Sequence, residues 1–580
     1  MPFYIATISQ FLCLQLSRIV WLLLLVSAAF FTCQTSAQTL IYNVNGYTLK
    51  GVDGAVVKGK SATFSQFSGL SFANGVITGV YTKLPDLAKF ERVIDGKGQT
   101  MLPGLIDAHG HVLWYGESLA TIDLVGTSSV VQALDRVKAR LKQGYIKGQW
   151  LKGRGWNQEL WTDKQFPTAN MLDTLISTNE AHQPPIVLER VDAHAYWVNS
   201  TVLKLAGITN DTASPPGGEI VKDAKGQPTG ILIDNAMELV KAAMPSSTQT
   251  QTEIYIENAL TELAKYGLTS VHDAGISPTI VKAYQSLSQQ QRLPIRVYGM
   301  LDITDKNAHS LLKQGKIKTA DGKFVVGSVK ISADGALGSR GASLHQDYSD
   351  APGQRGLLLH SEQQLSKYVE QAMLANFQVN THAIGDRANT LVFDQYAAWL
   401  NVGDKAKLRH RVEHAQVIRT QELHRLQQLQ MIASVQPTHA TSDKNMAEDR
   451  LGKHRMKGAY AWHSLYQTGA VLAGGSDFPV ESPNPFWGLH AAVTRQDKQN
   501  QPIGGWYPDE LLSKQIALSL FTLNAAYAAH QETLIGSLEI GKQADFILVN
   551  DDYFAVPAQH IWQLKPAETW VAGERVYVNL

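Results

Sequence analysis

Cysteine is nearly absent from this chain: there are two in 580 residues, Cys13 and Cys33, both within the first 37. The rest of the sequence can form no disulfide and offers no thiolate to a metal, which suits an oxidising, exported compartment. An excess of either charge is also missing, since 52 Lys and Arg face 51 Asp and Glu for a formal charge of +1. Nothing in that balance favours nucleic acid or an anionic membrane surface, and a small molecule is the expected partner. Internal repeats, low-complexity tracts and long charge runs are lacking too.

Long apolar runs are scarce. The one at Ile19–Phe31 follows Arg18 and precedes Thr35-Ser36-Ala37-Gln38. It is short for a membrane span and of the length of a signal-peptide core, with small residues ahead of a cut after Ala37. Residues 1–37 are therefore expected to be a signal peptide, and the protein to be periplasmic or secreted, with no stable membrane partner. The lead before Arg18 is long, so an uncleaved N-terminal anchor is the alternative.

At 580 residues the chain exceeds one compact core, and 44% hydrophobic with 18% charged residues is ordinary for a globular protein. Residues 38–100 and 533–580 share a texture of short alternating strands and turns, which predicts one small β-sandwich domain built from both ends. Between them, in 101–532, apolar strand-like runs alternate with amphipathic helical stretches. Eight runs stand out: Gly104 to His111, Leu268 to Asp273, Ile295 to Met300, Val325 to Ile331, Gln378 to His382, His410 to His414, Met431 to Gln436 and Val471 to Asp477. They predict an α/β fold, a (β/α)8 TIM-type barrel whose chemistry sits at the strands' C-terminal ends. The interval of about 120–250 is too long for one crossover helix and reads as an insertion after the first strand, covering the barrel mouth.

The first of these runs ends in Asp107-Ala108-His109-Gly110-His111. Strand side chains repeat with period 2, so His109 and His111 leave one face and can grip one cation. Among 18 histidines such a pair is weak by itself. It gains weight from Lys330, His382, His414 and Asp477, which end the fourth, fifth, sixth and eighth predicted strands, because strand ends in a barrel converge on one mouth. Each has a plainer reading: Lys330 as a lysine paired with Asp334, the histidines as hydrogen-bonded core residues, Asp477 as a turn residue before Phe478-Pro479.

These same stretches carry a resemblance. GLIDAHGHV (104–112), VKISADGALGSR (329–340), NTHAIGDRA (380–388), RVEHAQ (411–416), GGSDFPVESPNP (474–485) and GSLEIGKQADFILV (536–549) resemble the amidohydrolase superfamily, in its amidohydrolase-3 branch with the N-substituted formamide deformylases. The resemblance implies two divalent metal ions. His109 and His111 would hold the more buried one and His382 and His414 the more exposed one, with Lys330 bridging both as a carbamate. Asp477 would complete the first site and move protons. Imidazoles and oxygen donors without thiolate suit zinc and also admit manganese, iron, cobalt or nickel. The implied activity is hydrolysis of a carbon–nitrogen bond in a non-peptide, amide-like substrate by metal-activated water. The same fold also serves ester or lactone hydrolysis, deamination and isomerisation, and a non-catalytic secreted binder is a third class that a lost ligand would betray.

Substrate-binding candidates are His272, His194, Trp156, Arg340, Asp386 and Arg387. Glu413 is expected to leave the strand face opposite His414 and to serve in a structural salt bridge. Trp156, Trp161, Tyr196 and Trp197 in the insertion suggest an aryl-tolerant pocket. The sequons at Asn199 and Asn210 are short enough to arise by chance. A homo-oligomer stays open.

Overall fold

Apolar runs bounded by turns form eight consecutive parallel strands, labelled here β1 (Leu105–Gly110), β2 (Leu268–Ile276), β3 (Arg296–Asp302), β4 (Phe324–Ser332), β5 (Gln378–Ala383), β6 (Arg411–His414), β7 (Ile432–Val435) and β8 (Val471–Gly474). This computed structural model describes residues 38–579 other than 52–53, 59–62, 146–149, 177–182, 191–194, 216–217, 246, 339 and 400. The expected signal peptide, both cysteines and His194 lie outside the described residues. Among the described residues no helix is long and apolar enough to cross a membrane.

The strands pair in sequence order, β1 with β2 through to β7 with β8. The ring closes at its C-terminal rim: Asp477 N–H donates to His109 C=O at 2.7 Å and His111 N–H to Phe478 C=O at 2.8 Å. The seam of the barrel thus runs through the histidine pair itself. Strands of a parallel sheet are covered on both faces, and β1, β6 and β7 are buried along their whole length. The predicted (β/α)8 barrel is the observed one, with strand ends shifted by one to three residues. The eighth strand stops at Gly474, three residues earlier than predicted, because the chain turns in on the site there.

Strands from both ends of the described chain share a second, eight-stranded sheet. Its order is Glu574–Val578, Pro566–Val571, Phe546–Val549, Thr100–Pro103, Thr39–Lys50, Thr63–Ala73 and Val76–Tyr81, with Arg92–Asp95 on Thr39–Lys50. Phe72 and Trp570 stand on strands four places apart, yet their rings lie 5.9 Å from each other. One continuous sheet therefore rolls over its own core. A buried ion pair, Arg296 Nε to Asp545 Oδ2 at 2.7 Å, ties this sheet to the foot of β3.

The insertion after β1 carries a six-stranded sheet of its own, in the order Gly218–Lys222, Pro228–Asp234, Ala195–Val198, Ile186–Arg190, Leu151–Trp156 and Ile122–Asp123. Its hydrophobic core takes in Leu151, Trp156, Trp161, Ile186, Leu188 and Trp197.

Candidate metal centre

On β1 the period of two sends Asp107 and His109 into the barrel, and His111 begins the helix α1 (Val112–Leu119) just beyond. Asp107 is fully buried and accepts from His109 N–H (3.0 Å), Ser476 N–H (3.1 Å) and the Ser476 hydroxyl (2.6 Å), stapling the first strand to the segment after the last. Burial pushes its carboxyl up to about 7 against those hydrogen bonds.

Asp477 sits on that segment at φ 62°, a left-handed backbone that a non-glycine residue adopts at a cost of about 1–3 kcal/mol. The turn aims its carboxylate at the histidines. Oδ1 lies 3.2 Å from His111 Nε2 and 3.5 Å from His109 Nε2, and Oδ2 lies 3.7 Å from His439 Nε2. Burial alone would raise this carboxyl. The nearby His111, with the fields of His109, His414 and His439, overcomes it and holds the group well below the usual range.

A similar turn ends β6, where His414 has φ 74° and Ala415 φ 45°. Strand alternation fails there, so that Glu413 and His414, neighbours in sequence, both reach the site. Glu413 points into the barrel, and its Oε2 accepts from His109 Nδ1 at 2.5 Å with both side chains fully buried. This corrects the expectation that Glu413 leaves the opposite strand face. Burial would raise its carboxyl, but His109 and then Arg411 (3.9 Å) prevail and lower it.

The histidines are oriented by what holds their other nitrogen. Besides the Glu413 bond to His109, Ala274 C=O takes His111 Nδ1 at 2.9 Å and Gln436 Oε1 takes His414 Nδ1 at 2.7 Å. Each Nε2 is left to face the cup, as in metal sites where an outer partner fixes the ring. His109 Nε2, His382 Nε2 and Asp477 Oδ1 are buried without a hydrogen-bond partner among the described residues, at about 1–3 kcal/mol apiece if nothing binds them. Ligand atoms of His109, His414 and Asp477 lie within 4.8 Å of one another, the spacing of a group that could hold an ion. The residues present therefore fit a divalent cation. The ring of His382, on β5, is 4.5 Å from that of His414, while its Nε2 lies 3.5 Å from Asp334 Oδ1. Burial first, and the nearby Lys330 second, push His382 down to about 3.

Lys330 on β4 is buried beside the cup and makes no ion pair with any described carboxylate. Burial lowers its ammonium against the opposing fields of Glu413, Asp477 and Asp302. It is not paired with Asp334, whose carboxylate instead accepts from three backbone N–H groups, of Ser343, Ile384 and Gly385. With His111, Asp302, Ser332, Leu359 and His360, Lys330 lines a cavity of about 370 Å³.

The weaker substrate-binding candidates fall elsewhere. Trp156 is fully buried in the insertion's core, its Nε1–H donating to Leu188 C=O at 2.9 Å, so it lines no pocket. Trp161 and Trp197 lie in the same core, and only Tyr196 of those aromatics faces a cleft, about 920 Å³ between the insertion and α1. His272 is fully buried in the barrel interior against Arg411 at 3.1 Å. Arg340 pairs with Asp350 at the surface (2.8 Å). Asp386 opens the helix α2 (Asp386–Ala397) and accepts from His345 N–H at 2.9 Å, and Arg387 is half exposed, 3.9 Å from Glu362.

Asp107, Gln436 and His439 were missed. Period 2 on β1 would have found Asp107. Gln436 ends a predicted strand, and His439 follows it by three.

A parallel eight-stranded barrel with imidazoles and carboxylates gathered at its C-terminal rim defines a class, the barrel hydrolases that could hold metal there. A model of the amidohydrolase family matches residues 92–577, and the chain belongs to that family. It is 33% identical over 521 residues to the Bacillus subtilis (strain 168) protein named "Putative amidohydrolase YtcJ", covering 87% of this chain and 94% of that one. It is 24% identical over 501 residues to the N-substituted formamide deformylase of Arthrobacter pascens, covering 83% and 89%. A crystal structure of an uncharacterized metal-dependent hydrolase from Pyrococcus horikoshii OT3 superposes with a TM-score of 0.74 at 25% identity, over 90% of this chain and 99% of the other.

Proposed function

We propose that this hydrolase is exported and cleaves a carbon–nitrogen bond in a non-peptide amide, of which N-substituted formamides are the type. The observation that carries the reading is the set of buried, unpartnered donor atoms facing one point while the opposite nitrogens of the rings are tied down. His109, His111 and Asp477 would hold one divalent ion, and His382 and His414 a second, with zinc the first choice for imidazole and carboxylate donors. Lys330, as a carbamate, would offer an oxygen to each. Such ions acidify a water to the point of attack near neutral pH and polarise a carbonyl.

The chain's own groups do the rest. Asp477, with Oδ1 beside His111, would take the water's proton and pass it to the leaving nitrogen as the carbon–nitrogen bond breaks. Water oxygen joins the acyl carbon, the nitrogen leaves as an amine, and a carboxylate remains. Glu413 and Gln436 keep the rings from turning while this happens. Support also comes from the relative that is a deformylase, and export rests on the leader sequence and the lack of cysteine after it.

The test is a hydrolysis panel of N-formyl, N-acetyl and cyclic amides run with metal analysis of the same sample. Release of a carboxylate with an amine, at about two ions per chain, is expected. Turnover of esters or lactones alone would overturn the amide assignment.

A further inference from the structure

His439 lies in the short helix α3 (Pro437–Asp443) that follows β7. Its position is fixed. Pro437 starts the helix, His439 N–H donates to Gln436 C=O at 3.1 Å, and Asp443 one turn on accepts from the Tyr460 hydroxyl at 2.7 Å. The ring lies nearly parallel to that of His414, centroids 5.9 Å apart at 12°.

Three features separate it from an ordinary core histidine. Its side chain is only 12% exposed, and its Nε2 is buried without a hydrogen-bond partner. That nitrogen looks at Asp477 Oδ2 from 3.7 Å, too far for a hydrogen bond. It stands on the second oxygen of Asp477, whereas His109 and His111 stand on the first. In the tautomer with its proton on Nε2, the ring presents a donor toward that side of the cup.

We propose that His439 is a further catalytic residue, whose Nε2–H donates to the oxygen of the scissile carbonyl as that oxygen gains negative charge. This rests on the hydrolytic reading above. A preorganised donor aimed where charge develops contributes more in the transition state than in the bound substrate, and loss of one such donor typically costs about 10²–10³ in kcat. No bond to His439 forms or breaks, and its proton stays on nitrogen.

The experiment compares wild type with His439→Phe and His439→Gln, each as metal-loaded full-length protein. Metal content is measured first, then binding of acetohydroxamate by calorimetry as an oxyanion-bearing probe, then kcat and KM on whichever amide of the panel the wild type turns over best. Expected for His439→Phe are unchanged metal content, probe binding weakened by about tenfold or more, and kcat down by about 10²–10³ with KM within threefold. His439→Gln, which keeps a donor, recovers part of both. Loss of metal from His439→Phe would make His439 a ligand and overturn the proposal, as would unchanged probe affinity. If the wild type cleaves no amide, the amide assignment fails by itself, while the probe titration still decides the role of His439.

Discussion

Glu413 shows how one side chain sets the state of another. Its carboxylate, fully buried, takes His109 Nδ1 at 2.5 Å and so presents Nε2 to the cup, while opposing the burial that lowers the ring's pKa. Glu413→Gln keeps an acceptor and removes the charge, and should lower metal affinity by about 10–100-fold, measured by competition with a chelator. Unchanged affinity would mean that the bond is structural only. A second residue prediction concerns acid. His410 is buried and accepts from Val379 N–H at 3.0 Å through Nδ1, and burial pushes it down to about 3 from an ordinary 6.5. Below 6.5 the unfolded chain binds a proton that the folded one refuses. The stability His410 contributes is thus complete above pH 6.5 and is lost as pH falls toward 3, by about 1.4 kcal/mol per unit. Thermal unfolding of His410→Asn followed from pH 7 to 4 should show a shallower fall than wild type, and an equal slope would refute this. At this scale the sequence showed the residue types at the strand ends but not the groups that hold them in place. His109, His111, Lys330, His382, His414 and Asp477 were legible as strand-end residues of metal-binding type. Glu413 was misplaced because alternation says nothing of the left-handed turn at His414 and Ala415 that ends it.

At the scale of elements, packing decides what an aromatic side chain does. A tryptophan in the insertion looks alike in sequence whether it lines a pocket or fills a core, and Trp156 fills one, against Trp161 and Trp197 at ring distances of 6.2 and 6.3 Å. Trp156→Ala should destabilise the protein by about 3–5 kcal/mol in chemical denaturation, with metal content unchanged in the folded fraction. Intact stability would return Trp156 to the list of ligand contacts. The eight barrel strands, in contrast, were readable because each is a short apolar run flanked by turn residues, and a parallel sheet demands just such runs. The seam between β8 and β1 was not readable. It depends on Asp107 gripping Ser476 across more than 360 residues of chain, a contact that no local pattern encodes.

At the scale of the whole molecule, a barrel brings side chains from five strands to one rim, and a chain with almost no cysteine gathers imidazoles, a carboxylate and a buried lysine there. The fold is legible from periodicity because burial dictates it. The reaction is legible only from the rim, where backbone turns and buried ion pairs override periodicity. The most direct measurement is anomalous X-ray scattering at metal absorption edges from crystals of the protein as purified. Two peaks are predicted, one among His109, His111 and Asp477 and one at His382 and His414, with Lys330 between them. An empty rim with His109 Nε2 hydrogen-bonded to protein, or metal bound only elsewhere, would contradict the metal centre and the hydrolytic function built on it.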